Sequence, residues 1–85
     1  MSHRTTLKLV ARDAPYTVVV EPWADEFQVE PAAGCQVVAL HPRLQPAFEV
    51  EIYRGLLIVY VNGSGATYEF WRGEKKEFST PVPMP

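Results

Sequence analysis

Apolar and polar residues alternate along this chain in short segments, and each segment ends at a proline, a glycine or an Asn-Gly pair. An alternation with a period of two is typical of a β-strand that has one face in a core. The pattern predicts strands over residues 6–11, 16–21, 26–30, 35–40, 48–53, 56–61 and 66–71. Residues 74–78 are too charged for a central strand, though they could pair weakly at an edge. No segment has the apolar spacing of an amphipathic helix.

The connections between these segments are short, which favours antiparallel hairpins. Arg54-Gly55 joins two strand patterns directly and is typical of a tight turn, because glycine adopts a positive φ at little cost. No connection is long enough for the crossover of a parallel pair, so we expect antiparallel pairing throughout. The chain is therefore predicted to be all-β, a small antiparallel β-sandwich of six to seven short strands, with a small β-barrel as the alternative.

The phase of the alternation predicts which side chains face the core. Phe48, Val50 and Ile52 alternate with glutamates and are predicted to face inward. Residues 16–20 and 56–61 are apolar on both faces, which suits the middle of a sheet. A further set of apolar residues is out of phase with the inward set: Val10, Val19, Val38, Leu40, Leu56, Ile58, Tyr60 and Trp71. Either this surplus forms an association surface, or some strands have the opposite phase.

The length of 85 residues suits one domain, which we expect over residues 1–80. Residues 81–85 contain three prolines, and we expect an extended, loose tail there. The net charge is −2 and the cations are scattered, so neither nucleic acid nor a membrane surface is an expected partner. The longest apolar run, residues 56–61, is far shorter than the ~20 residues of a membrane span. A polar N-terminus and a single cysteine, Cys35, indicate a cytoplasmic protein without an internal disulfide.

Residues 21–40 resemble a unit of small bacterial β-sandwich proteins of uncharacterised function. The resemblance lies in Glu21-Pro22-Trp23, followed by the acidic Asp25-Glu26, by Phe27, and by a turn from Pro31 to Gly34. In this chain Ala32-Ala33 lengthens that turn. The resemblance implies the fold and a bacterial origin, and it implies no activity.

Four residues have side chains that suit a copper site: Cys35, His41, Met84 and His3. They are far apart along the chain, so we expect an inert, half-buried thiol and two surface histidines. His41 lies about 20 Å along an extended strand from Cys35, too far to activate it as a nucleophile. No metal ligand, cofactor site or catalytic residue is predicted.

Four glutamates, Glu26, Glu30, Glu49 and Glu51, offer carboxylates for acid and base chemistry. A strand face that is exposed to solvent explains them better, because charged residues keep sheet edges soluble. We therefore do not expect an enzyme.

The aromatic residues and the apolar surplus carry the functional hypotheses. In the first, the chain is a protein-interaction or self-associating module, a homodimer or a binder of another protein, that uses residues 56–61 and 66–71. In the second, it binds a small ligand or a carbohydrate through Trp23, Tyr53 and Trp71. The candidate interaction surface comprises Trp23, Tyr53, Ile58, Tyr60 and Trp71.

Overall fold

The computed structural model describes residues 2–31 and 33–85. It contains eight strands: β1 (His3–Val10), β2 (Tyr16–Glu21), β3 (Asp25–Val29), β4 (Gly34–His41), β5 (Ala47–Tyr53), β6 (Leu56–Asn62), β7 (Thr67–Arg72) and β8 (Lys75–Ser79). The prediction of an all-β chain is confirmed. The strand count exceeds the expected six to seven because the charged segment near the C-terminus also pairs, as edge strand β8.

The strands form two four-stranded sheets that pack face to face. The first sheet has the order β1-β4-β7-β8 and the second the order β3-β2-β6-β5. The strands that are apolar on both faces, β2 and β6, lie in the middle of the second sheet, as predicted. The predicted β5–β6 hairpin is also confirmed, and Gly55 at its turn has a φ of 72°.

The expectation of antiparallel pairing throughout is wrong at one place, because β2 and β6 pair in parallel. The chain makes three strands between them, β3, β4 and β5, and β4 belongs to the first sheet. This excursion into the other sheet replaces the helical crossover that usually joins parallel strands. The second sheet is therefore mixed.

The core lies between the sheets and is richest in aromatic residues on the side of β3, β7 and β8. Phe27 and Phe70 stack with their ring centroids 4.0 Å apart, and Tyr68 is completely buried beside them. The out-of-phase apolar residues are all on outer faces by strand register, and they divide between the two sheets. Of this set only Val10 is largely exposed, Val38 is buried, and the other residues are half-buried by their neighbours on the sheets.

The C-terminal tail bends at residues 81–82, and it is docked and not loose. Met84 exchanges main-chain hydrogen bonds with the β6–β7 connection, accepting from Gly65 at 2.7 Å and donating to Ala66 at 2.8 Å. Its side chain packs against the core. Composition alone suggested a loose segment because it gives no information on such pairing. Within residues 2–31 and 33–85, no helix is long and apolar enough to cross a membrane.

Candidate functional site

The two sheets separate along one side of the sandwich, where β1 and β5 are the outermost strands. We call β1, β5 and the groove between them the open edge. Val50 lies opposite the buried Val59, and Ile52 lies opposite Leu57, so both point to the inner face as predicted. They are nevertheless 40% and 79% exposed. The expectation of burial is wrong here because β5 is the last strand of its sheet and nothing beyond it covers these side chains.

The groove at the open edge has a volume of ≈ 430 Å³. It is lined by the last residues of β1, the β1–β2 turn and the β5–β6 hairpin, including Leu9, Tyr16 and Leu57. Val10 and Tyr53 stand at its rim and are 60% and 53% exposed. Three of the six large hydrophobic residues that are exposed among the described residues, Val10, Ile52 and Tyr53, therefore line this groove.

Strands β1 and β5 run in the same direction, although they belong to different sheets. Near the start of both strands, Thr5 Oγ1 donates a hydrogen bond to the Pro46 carbonyl oxygen. Near their ends, Val10 and Ile52 line the same groove. Gln45 also donates to the Arg4 carbonyl oxygen and so caps the first part of the β1 edge.

The opposite side of the sandwich is protected against strand pairing in ways that the open edge is not. Its edge strands, β3 and β8, have only five residues each, and the β7–β8 pairing is interrupted by a bulge at Phe70/Trp71. Strands β1 and β5 have eight and seven residues, no proline, and a regular register with their neighbours. Short strands and bulges are common devices against edge association, so β1 and β5 are the edges that remain available.

The two strands of the open edge carry opposite charges on their outer faces. Arg4 and Lys8 alternate with the inward side chains of β1, and both are exposed. Glu49 and Glu51 alternate in the same way with the inward side chains of β5 and are exposed as well. One edge strand is therefore basic and the other acidic.

Three of the predicted surface residues share the outer face of the second sheet, next to the open edge. The Tyr60 hydroxyl donates to Glu51 Oε1 at 2.6 Å, and the Tyr53 hydroxyl donates to Glu51 Oε2 at 3.3 Å. The hydrogen bond with the Glu51 carboxylate raises the pKa of Tyr60 to about 12. Ile58 lies between Glu51 and Val19 in the register and is half-buried.

Trp23 lies at the other end of the sandwich, after the last residue of β2. Its ring packs on Tyr68 with the centroids 4.7 Å apart, and its Nε1–H donates to the Val82 carbonyl oxygen at 2.8 Å. The Tyr68 hydroxyl donates to the Asp25 carboxylate. Burial, with a contribution from this carboxylate, raises the pKa of Tyr68. Trp23 thus closes the core where the tail docks.

Trp71 lies on the outer face of the first sheet. Its Nε1–H donates to Glu69 Oε1 at 2.9 Å, and Lys76 Nζ lies 3.6 Å from Glu69 Oε2. Trp23, Tyr53 and Trp71 therefore occupy three separate surfaces: one end of the core, the rim of the open edge, and the face of the other sheet. They do not form a common stacking platform.

His41 is buried, and the expectation of a surface position is wrong for it, whereas His3 is exposed as expected. The Nδ1 of His41 accepts hydrogen bonds from the backbone N–H groups of Arg43 and Leu44 at 3.0 and 2.9 Å. The Nε2 of His41 donates to the Ser64 carbonyl oxygen at 2.7 Å. The ring of His41 lies under the β6–β7 turn, in which Gly63 and Gly65 adopt positive φ values of 126° and 90°. No local sequence pattern predicts this contact, since the two loops are distant along the chain.

The remaining candidates for chemistry lie apart from one another. Cys35 is a free cysteine and is 2% exposed, more buried than expected, and burial raises its pKa. Among residues 2–31 and 33–85, no three His, Cys, Asp or Glu side chains are placed to hold a metal ion. Glu26 and Glu49 lie on opposite edges of the second sheet, three strand spacings or about 14 Å apart. This distance separates the carboxylates of β3 from those of β5.

Comparisons of the chain with protein families, with curated proteins and with solved structures find no match. The resemblance of residues 21–40 to small bacterial β-sandwich proteins therefore stays a prediction. The fold and the site together define a class: a two-sheet β-sandwich with one protected side and one open, apolar edge.

Proposed function

We propose that this chain is a non-enzymatic protein-interaction module and that its contact surface is the open edge. The observation that carries the proposal is the exposure of Ile52, an inner-face side chain that is 79% accessible to solvent. The candidate surface thus moves from residues 56–61 and 66–71 to β1 and β5, with Tyr53 at its border. In line with the resemblance and with the free, buried Cys35, the proposal places the module in the bacterial cytoplasm.

Two properties of the open edge support binding of an extended segment of protein. Strand β5, and strand β1 beyond the Arg4 carbonyl group that Gln45 caps, present main-chain edges that can accept a further strand. Its groove is lined by apolar side chains, which can bury the alternate residues of such a strand. Main-chain hydrogen bonds would supply affinity, and the groove would supply selectivity for apolar side chains.

A synthetic peptide with the sequence of residues 3–11 is a suitable probe, because it alternates apolar and basic residues. We would add it to ¹⁵N-labelled chain at a dilution at which the chain sediments as a monomer. We expect saturable shifts of amide signals in β1 and β5. Ile52→Lys should abolish the shifts, whereas Val82→Lys, a change at an exposed residue of the tail, should preserve them.

The proposal fails if the peptide produces no saturable shifts, or if the shifts map to β3 and β8. It fails equally if Ile52→Lys leaves the affinity unchanged. Both variants alter exposed side chains, so the unfolding temperature should stay within a few degrees of the unmodified chain.

A small apolar ligand is a second candidate occupant, and the groove volume of ≈ 430 Å³ favours it. The test is binding of the dye 1-anilinonaphthalene-8-sulfonate to the folded chain. A single saturable site that is lost in Ile52→Lys would support this candidate. Emission that does not saturate, or that Ile52→Lys leaves unchanged, would exclude the groove as a ligand site for such molecules.

A further inference from the structure

We infer that the partner bound at the open edge is a second copy of this chain, related to the first by a two-fold axis parallel to the strands. In this dimer, β1 of each copy pairs in parallel with β5 of the other. The inference rests on the proposed function, because it uses the same surface. It adds the identity of the partner and the direction of pairing.

The placement of β1 and β5 in the sandwich fits this dimer. Strands β1 and β5 lie at the same side of the sandwich, in different sheets, and run in the same direction. A two-fold axis parallel to them exchanges the two layers, so that the first sheet of one copy continues into the second sheet of the other. Both open strands of both copies are paired in this arrangement, and the dimer is closed. The protected strands β3 and β8 become its only outer edges.

The charges on the two open strands also fit this dimer. The exchange of layers turns the outer faces of β1 and the partner's β5 to the same side. Thr5 lies level with Pro46, and the axis keeps every residue at its level along the strands. Lys8 of each copy therefore stands beside Glu49 of the other, with Glu51 at the next outward position. Opposite charges on neighbouring strands stabilise a sheet, so each joint has complementary outer faces.

The charges on β5 also disfavour the other symmetric arrangement of two copies. A two-fold axis perpendicular to the sheets would pair β1 with β1 and β5 with β5, both antiparallel. With Val50 at the centre of such a joint, Glu49 of each copy would face Glu51 of the other. Like charges directly opposite one another destabilise a sheet, so the charge pattern selects the parallel joint.

The exposed apolar side chains on the inner face of β5 become covered in this dimer. Val50 and Ile52 point to the inner face but have no covering layer in the single copy. In the dimer the partner's β5 extends the opposite layer over them, with its own Val50 and Ile52 on the inner face, while the partner's β1 pairs beside β5 in the same layer. The two cores then join across the two-fold axis. The dimer therefore explains why an edge strand keeps apolar residues at inward positions that solvent reaches.

The test is sedimentation velocity over a wide concentration range, with charge-reversal variants. The basic reversal is Lys8→Glu, and the acidic reversal is Glu49→Lys. We expect a dimer of the unmodified chain, and a dissociation constant raised at least about tenfold by either reversal. The combination of both reversals should restore the dimer, because the charges are again complementary. Raising the salt concentration should weaken the unmodified dimer.

Several outcomes would overturn the inference. If each reversal leaves the dissociation constant unchanged, the charges do not face each other and the joint is a different one. If the combined variant is as weak as the single reversals, the effect is not one of complementarity. If the unmodified chain is a monomer at all concentrations but binds the peptide of residues 3–11, the proposed function stands and the second copy is excluded as its partner. If the peptide also fails to bind, both are wrong.

Discussion

Replacing His41 by leucine removes three hydrogen bonds that hold two loops together at one end of the sandwich. Nδ1 accepts the backbone N–H groups of Arg43 and Leu44, and Nε2 donates to the carbonyl oxygen of Ser64. Because Nδ1 is the acceptor of both N–H groups, the ring proton resides on Nε2. Leucine fills the space of the ring but offers neither an acceptor nor a donor, so the three backbone groups lose their partner together.

The expected cost follows from this count. A net contribution of about 1 kcal/mol for each hydrogen bond gives a loss of about 3 kcal/mol in the free energy of unfolding. Water can reach the exposed residues Arg43 and Leu44 and replace part of the lost hydrogen bonding. The loss in the free energy of unfolding therefore has a lower bound of about 1.5 kcal/mol. For 85 residues, an unfolding entropy of about 2.1 cal/mol/K per residue amounts to about 180 cal/mol/K. The unfolding temperature should therefore fall by about 8–17 °C.

Thermal and urea unfolding followed by far-ultraviolet circular dichroism measure this loss. The matched control is His3→Leu, at an exposed histidine, for which we expect a change below about 0.5 kcal/mol. A long-range ¹H–¹⁵N spectrum of the unmodified chain should show the proton of His41 on Nε2. A His41→Leu variant as stable as the control, or a ring proton on Nδ1, would refute the reasoning.

Three further predictions concern Tyr68, Tyr60 and the C-terminal tail. Tyr68→Phe should cost about 2 kcal/mol in urea unfolding, because it removes a buried hydroxyl that donates to a carboxylate. The folded chain raises the pKa of Tyr68 above its usual value of about 10, so stability should fall as the pH rises above 10, and less steeply in Tyr68→Phe. Glu51→Gln should lower the pKa of Tyr60 from about 12, as measured from the pH dependence of its ¹³Cζ chemical shift. A Tyr60 pKa that stays near 12 in this variant would contradict the Glu51 hydrogen bond as the cause of the raised pKa. Deletion of residues 81–85 should shift the fluorescence of Trp23 to longer wavelength, and unchanged emission would mean that the tail does not shield the ring.

The alternation of residues along β5 shows what a sequence pattern can and cannot predict. It identified the inward direction of Val50 and Ile52 correctly, because side-chain direction depends only on the local period of two. It did not predict their exposure, because burial depends on whether the other sheet extends far enough to cover them. That is a property of strand order, which a pattern within one strand does not encode.

A second reason explains why the sequence pattern did not predict three features: the parallel β2–β6 pair, the buried His41 and the docked tail. Each depends on contacts between segments that are distant along the chain, such as His41 with Ser64, 23 residues away. Turn chemistry and strand period are local, and they predicted seven strands and the hairpin at Gly55. The site was partly predicted: Tyr53, Ile58 and Tyr60 do share one surface, but the open edge beside them was not anticipated.

The glutamates of β5 have two effects that are easily taken for one. Charged residues on an edge strand oppose indiscriminate aggregation, and the sequence pattern alone suggests no further role for Glu49 and Glu51. In the structure both point to the outer face, perpendicular to the direction in which a new strand would add. They therefore leave the main-chain groups of β5 free and oppose only an acidic neighbour, such as another β5. A basic neighbour such as β1, with Lys8 on the matching face, is favoured by the same charges, so solubility and the choice of partner follow from one pair of side chains.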